Sequence, residues 1–167
     1  KTIIPLYYKD FPTADGFNNQ AEIIEFIDFF DPPGATLADQ LRWVLQKLKA
    51  AGLHTVPGGG GEIFADPVRR KIGLGKCDAE AWLTTMRVAH ELGMNTSATM
   101  MFGHIEGIAD RVHHMELVRT WQDQSIADFA EDGGGRTMAF ISWPFQRENT
   151  PLGRCREWGD HEDDDLN

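Results

Sequence analysis

Two junctions in the chain repeat one pattern. "AAGLHT" at residues 50–55 and "ELGMNT" at 91–96 each run through a glycine, an apolar residue, a polar residue and a threonine. Before each lies a stretch with helical spacing, and after each an apolar run. A glycine that stops a helix and feeds a strand, used twice, predicts repeated helix–strand units and hence a parallel sheet. Both strands then leave through glycines and meet a glutamate. Gly58 to Gly61 precede Glu62, and Gly103 precedes Glu106. In parallel α/β folds the chemistry gathers in the loops at the C-terminal ends of the strands. Both glutamates fall there. A second reading stays open, in which they are ordinary acids favoured near helix N-termini.

The elements follow from local signals. Thr36 is placed to cap "LADQLRWVLQKLKAAG", with Leu37, Leu41, Val44, Leu45 and Leu48 on one face and Gly52 as its stop. "LHTV" is a short strand leading into "PGGGGEI". Asp78 caps "AEAWLTTMRVAHELG", whose Trp82, Met86 and Ala89 face the core, and "MNTSATMMF" is the second strand. A helix from about Ile108 to Gln122 shows Ile108, Val112 and Met115 at helical spacing. "TMAFISWPF" is the third strand. Residues 1–35 form a divergent N-terminal segment in which "AEIIEFIDFF" has strand character, 36–152 the α/β unit, and 153–167 an acidic, disordered tail.

Charge narrows the partners. The net charge is −10, of which the tail from Gly153 contributes −4, so neither nucleic acid nor an anionic membrane surface is expected to bind. No apolar run is long enough to span a bilayer, and the expected location is cytoplasmic. Two cysteines, Cys77 and Cys155, lie far apart with no CxxC or CxxxCxxC, so no zinc or iron–sulfur ligand set is present and no metal residue is assigned. His104-x-Glu106 is similar to half of the zinc deaminase motif, without its PCxxC half. "PGGGGEI" lacks the GK[ST] of a phosphate loop. It is either a flexible turn or a backbone that admits close approach of a ligand. His113 and His114 are adjacent on a helix, pointing about 100° apart, and are expected at the surface. His54 and His90 are expected to be structural.

Taken together, "AGLHTVPGGGGEIFADPVRRKI", "WLTTMRVAHELGMNTSATMMFGHIE", "WQDQ" and "AFISWPFQRENTPL" resemble the radical S-adenosylmethionine enzymes of the futalosine route to menaquinone. Their wording resembles the cyclic dehypoxanthinyl futalosine synthases most, beside the related aminofutalosine synthases and FO synthases. The resemblance runs from about Leu41 to Leu152, about two thirds of the chain. It implies a partial TIM-type (β/α) barrel comprising roughly strands 3 to 6, with "IEFIDFFDPP" as a decayed third strand.

The resemblance also implies site residues. Met101, Gly103 and Glu106 match the last three positions of the GxIxGxxE-like motif that packs on the adenine of S-adenosylmethionine, with Thr99 where its first glycine would stand. Pro57 to Glu62 match a Pro-Gly-Gly-Gly-x-Glu loop facing cofactor or substrate. On this basis Glu62, Met101, Gly103 and Glu106 are assigned to the cofactor, and Gly59, Gly60, His104 and Trp143 to the substrate pocket. No catalytic residue is assigned. The implied cofactors are S-adenosylmethionine and a [4Fe–4S] cluster, and the implied substrate is a small nucleoside-like molecule, dehypoxanthine futalosine, that is cyclised. The CxxxCxxC segment of the family is absent from this sequence. The partner expected is therefore a polypeptide supplying that N-terminal half, or a second copy of the chain. The alternative is a non-catalytic α/β binding module.

Overall fold

The computed structural model describes residues 32–72, 76–150 and 152–154. The expected strand at "AEIIEFIDFF" and the acidic tail beyond Arg154 lie outside them.

Thr36 begins α1 (Leu37–Ala50) in extended geometry. Its hydroxyl accepts the Asp39 N–H, and the Asp39 carboxylate accepts the Thr36 N–H in return. This reciprocal capping satisfies two amides that the first helical turn would otherwise leave unpaired. Leu41, Val44, Leu45 and Leu48 are buried, as their spacing requires. Gly52, at φ 105°, turns the chain into β1 (Thr55–Val56). After the glycine loop comes α2 (Asp66–Ile72), which the sequence reading missed. Its signal was Pro67 in the first turn, where a missing N–H costs nothing.

Asp78 caps α3 (Ala79–Glu91) through the Ala81 N–H, and Gly93 at φ 74° leads into β2 (Asn95–Phe102). Next come α4 (Ile108–Phe129), β3 (Thr137–Pro144) and a 3-10 turn at Leu152–Arg154. The three strands are parallel in the order β1–β2–β3. α3 packs against β1 and β2, α4 against β2, and α1 against α3. The result is a mixed α/β layer compatible with part of a barrel. A closed barrel is not present among the described residues.

One face of the sheet carries the helices. Val56 and Ala98 join the core built by α1 and α3, and Thr96 accepts or donates a 2.9 Å hydrogen bond with buried His90 Nε2. Side chains alternate along a strand, so Ser97, Thr99 and Met101 point to the opposite face. The register sets Met101 beside Trp143 and Thr99 beside Ile141, which places those two on that opposite face as well.

α4 departs from expectation in two ways. It extends to Phe129, seven residues past Gln122, because "SIADFA" continues a good helical sequence. Its buried residues are His114 and Ser125, with Leu117, Val118 and Trp121 packed against the core, whereas Ile108, Val112 and Met115 are exposed. The apolar spacing thus identified the helix but not its inward face. His114 is a correction. It is fully buried, stacked on Phe64 at 4.0 Å between ring centroids, while His113 is exposed as expected.

Candidate functional site

The site grows from the two loops that follow β1 and β2. The glycine loop extends β1 along the flank of β2. Gly58 N–H donates to Ser97 Oγ at 2.8 Å, Thr99 Oγ1 donates to Gly58 O at 2.5 Å, and Met101 N–H donates to Glu62 O at 2.8 Å. Contact this close explains two of the glycines. A Cβ on Gly58 would stand 2.5 Å from Ser97 O, and one on Gly61 2.6 Å from Thr99 O. No side chain fits in that space, so the run of glycines is first of all a packing requirement.

Gly59 and Gly60 turn their carbonyls inward. Gly59 O accepts from Trp82 Nε1 at 3.3 Å, and Gly60 O from Arg69 Nη2 at 2.9 Å. Glu62 sits in the left-handed region at φ 44°, a conformation that a non-glycine residue adopts only where its surroundings enforce it. Its Oε1 lies 2.6 Å from Lys76 Nζ, and its Oε2 is buried with no hydrogen-bond partner. A carboxylate oxygen buried in this state calls for a donor such as a hydroxyl or an amine.

The second loop closes on itself. The Glu106 carboxylate accepts the Gly103 N–H at 2.6 Å, the His104 N–H at 2.8 Å and Arg111 Nε at 2.7 Å. His104 Nδ1 lies 2.9 Å from it, within ion-pair reach, and the other ring nitrogen meets Met101 O at 3.1 Å. Burial pushes the Glu106 pKa upward. The contact with His104 and the two loop amides outweigh that and hold it down at about 2. Glu106 and His104 are both buried, so their direct contacts are with the loop itself. Their work is to shape the turn that presents Gly103. Gly103, at φ 78°, has no atom within 4 Å of where a Cβ would stand, which leaves its backbone open to approach. Gly107 has no side chain with which to cap α4, and Asp110 instead accepts the Gly107 N–H at 2.8 Å.

Of the residues expected at a site, Glu62, Met101 and Trp143 therefore meet through one backbone hydrogen bond and one register pair, with Gly103 two residues beyond Met101. Gly59, Gly60, His104 and Glu106 stand behind this rim as scaffold. Arg69 was not anticipated, since an arginine in "VRRK" reads as a surface charge. It is 3% exposed and bonded to the glycine loop. Among the described residues no three His, Cys, Asp or Glu side chains gather into a metal site. With two cysteines in the sequence, a [4Fe–4S] cluster has no ligand set in this chain. Nor is any helix among the described residues long and apolar enough to cross a membrane.

A parallel α/β sheet with an open, glycine-lined rim at the C-terminal ends of its strands defines a class of ligand-binding architecture. Comparison with known proteins adds particular relatives. The chain is homologous to the aminodeoxyfutalosine synthase of Thermus thermophilus, with 48% identity over 113 residues, 68% of this chain and 28% of that protein. It is 42% identical over 113 residues to the 5-amino-6-(D-ribitylamino)uracil–L-tyrosine 4-hydroxyphenyl transferase of Methanosphaerula palustris, again 68% of this chain and 28% of the relative. It is 36% identical over 124 residues to the FO synthase of Mycobacterium leprae, 72% of this chain and 13% of the relative. The chain thus spans less than a third of the length of each of these relatives. No protein-family model matches it.

Proposed function

We propose that the chain is the segment of a radical S-adenosylmethionine enzyme that carries the fourth to sixth barrel strands and the rim between cofactor and substrate. The observation that carries this reading is the meeting of Glu62, Met101 and Trp143 at one end of a parallel sheet. The homology to synthases and a transferase that act in the names of aminodeoxyfutalosine, FO and a ribityl uracil supports it. The substrate is a nucleoside-like molecule, and the reaction that the motif wording favours is cyclisation of dehypoxanthine futalosine. Glu62 Oε2 accepts a hydroxyl or amine of the ligand, Met101 and Trp143 give apolar contact, and Gly103 lets the backbone approach it. The cluster that would supply the reducing electron is held by a polypeptide other than this one. In its absence the same rim is a binding module, a second reading favoured by the lack of cluster ligands.

The test is a thermal melt of the purified chain with S-adenosylmethionine. A ligand at a hundred times its Kd stabilises the native state by about 2.7 kcal/mol. In a domain of this size that raises Tm by roughly 5–10 °C. A shift of that order, lost in Glu62→Ala, is the expected result. A cooperative transition unmoved by millimolar S-adenosylmethionine overturns the assignment of the rim.

A further inference from the structure

The feature of the molecule that the proposed function leaves unused is the buried guanidinium of Arg69. All of its N–H groups are spoken for. Nε donates to Cys77 O at 2.7 Å, Nη1 to Gly61 O at 2.6 Å and Ile63 O at 3.3 Å, and Nη2 to Gly60 O at 2.9 Å, with Cys77 Sγ at 3.9 Å. The guanidinium also lies over the Phe64 ring, 5.7 Å from its centroid. Among the described residues no carboxylate comes within ion-pair reach of it. A charge buried without a counter-ion is costly, so the carbonyls that replace its water must be held firmly in place.

Three of those carbonyls flank Glu62. Gly60 and Gly61 precede it, Ile63 follows it, and all three turn toward the guanidinium. The carbonyl of Glu62 itself turns the other way, to Met101 N–H. Such a reversal between neighbouring peptide planes is what a φ of 44° at Glu62 accomplishes. The fourth carbonyl belongs to Cys77, next in sequence to Lys76, whose ammonium meets Glu62 Oε1. One side chain therefore fixes both the backbone that carries the carboxylate and the segment that carries its cation.

We infer that Arg69 is the positioning residue of this loop, holding Glu62 so that Oε2 is presented to a hydrogen-bond donor of the ligand. The ligand consequence rests on the reading of the rim given above, whereas the geometric claim does not. Lysine in its place keeps the charge but loses the planar fork that reaches Gly60, Gly61 and Ile63 together.

The experiment combines amide spectra with affinity. In Arg69→Lys the 15N–1H resonances of Gly60, Gly61 and Glu62 are expected to move and their hydrogen exchange to accelerate, while those of α1 stay in place. Resonances of the loop that do not move overturn the inference. Affinity for S-adenosylmethionine, by calorimetry, is expected to fall about tenfold in Arg69→Lys. In a Glu62→Ala background the same change is expected to have almost no further effect, because Arg69 acts through Glu62. An equal loss in both backgrounds overturns the inference. If the wild type does not bind S-adenosylmethionine, the proposed function fails and the amide spectra alone decide about Arg69. Should Arg69→Lys not fold, the wild type still answers: the Nε–H and Nη–H protons of Arg69 are expected to exchange slowly. Exchange at the rate of an exposed arginine overturns the inference.

Discussion

Replacing Glu106 by glutamine tests the account of the second loop most directly. The carboxylate faces donors on every side: two backbone amides, Arg111 Nε and the His104 ring. A glutamine of the same shape must turn its NH2 toward one of these donors, leaving a buried donor unsatisfied. The size of the effect follows from the carboxyl's pKa, held at about 2 against an ordinary 4.5. That difference corresponds to about 3 kcal/mol, or 2–3 kcal/mol once solvent around the half-exposed Arg111 is allowed for. The folded-state pKa lies below the unfolded one, so the contribution is complete above about pH 4.5 and is lost as pH falls toward 2. Urea denaturation of wild type and Glu106→Gln at pH 7 is expected to differ by about 2–3 kcal/mol. By pH 3 the gap should shrink by more than half. A gap under about 0.5 kcal/mol at pH 7, or one that stays constant down to pH 3, refutes the assignment of Glu106 as the charged centre of the turn.

Two further outcomes follow from the packing. Gly58→Ala must push a Cβ against the backbone of Ser97 and Ala98 and is expected to cost about 1–3 kcal/mol. Gly103→Ala meets open space and should cost only the left-handed backbone term, about 1 kcal/mol, so finding Gly103→Ala the more damaging in urea midpoints would contradict the geometry. His114 is buried with neither ring nitrogen at a hydrogen-bond partner, and burial holds its pKa down at about 4, with the nearby Thr99 backbone working the other way. Its unfolded form takes up a proton first, so its contribution to stability drains away as pH falls from about 6.5 to 4. His114→Phe keeps the stack on Phe64 and should match the wild type at pH 7 while losing up to roughly 3 kcal/mol less between pH 6.5 and 4. Identical pH profiles would show that His114 does not titrate in this way.

Much of the scaffold could be read from local signals. Thr36, Asp78, Gly52 and Gly93 mark helix ends because capping and left-handed turns demand particular residue types at single positions. The buried stripe of α4 was hidden because its members include His114 and Ser125, polar residues that break an apolar count while keeping the helical interval. Arg69 was hidden for a similar reason. Its surroundings are carbonyls drawn from four separate peptide groups, and such a cage exists only once the loop has folded. The rim could be named residue by residue from the family resemblance. What sequence could not show is that His104 and Glu106 spend their polar atoms on the loop itself, since that depends on which way the turn at Gly103 closes.

β3 has β2 on one side only, and Met138, Phe140 and Ile141 are 60%, 42% and 46% exposed. No charged residue interrupts it from Thr137 to Pro144, and only the proline at its end withholds an N–H from a would-be neighbour. Such an edge accepts whatever extended segment reaches it first. Capture by another copy is a second-order event, quickening with the square of concentration, whereas covering by a segment tethered to the same assembly proceeds at a rate independent of dilution. The soluble yield of this chain is therefore a race between two kinetic orders, and the concentration at which it is made decides the winner.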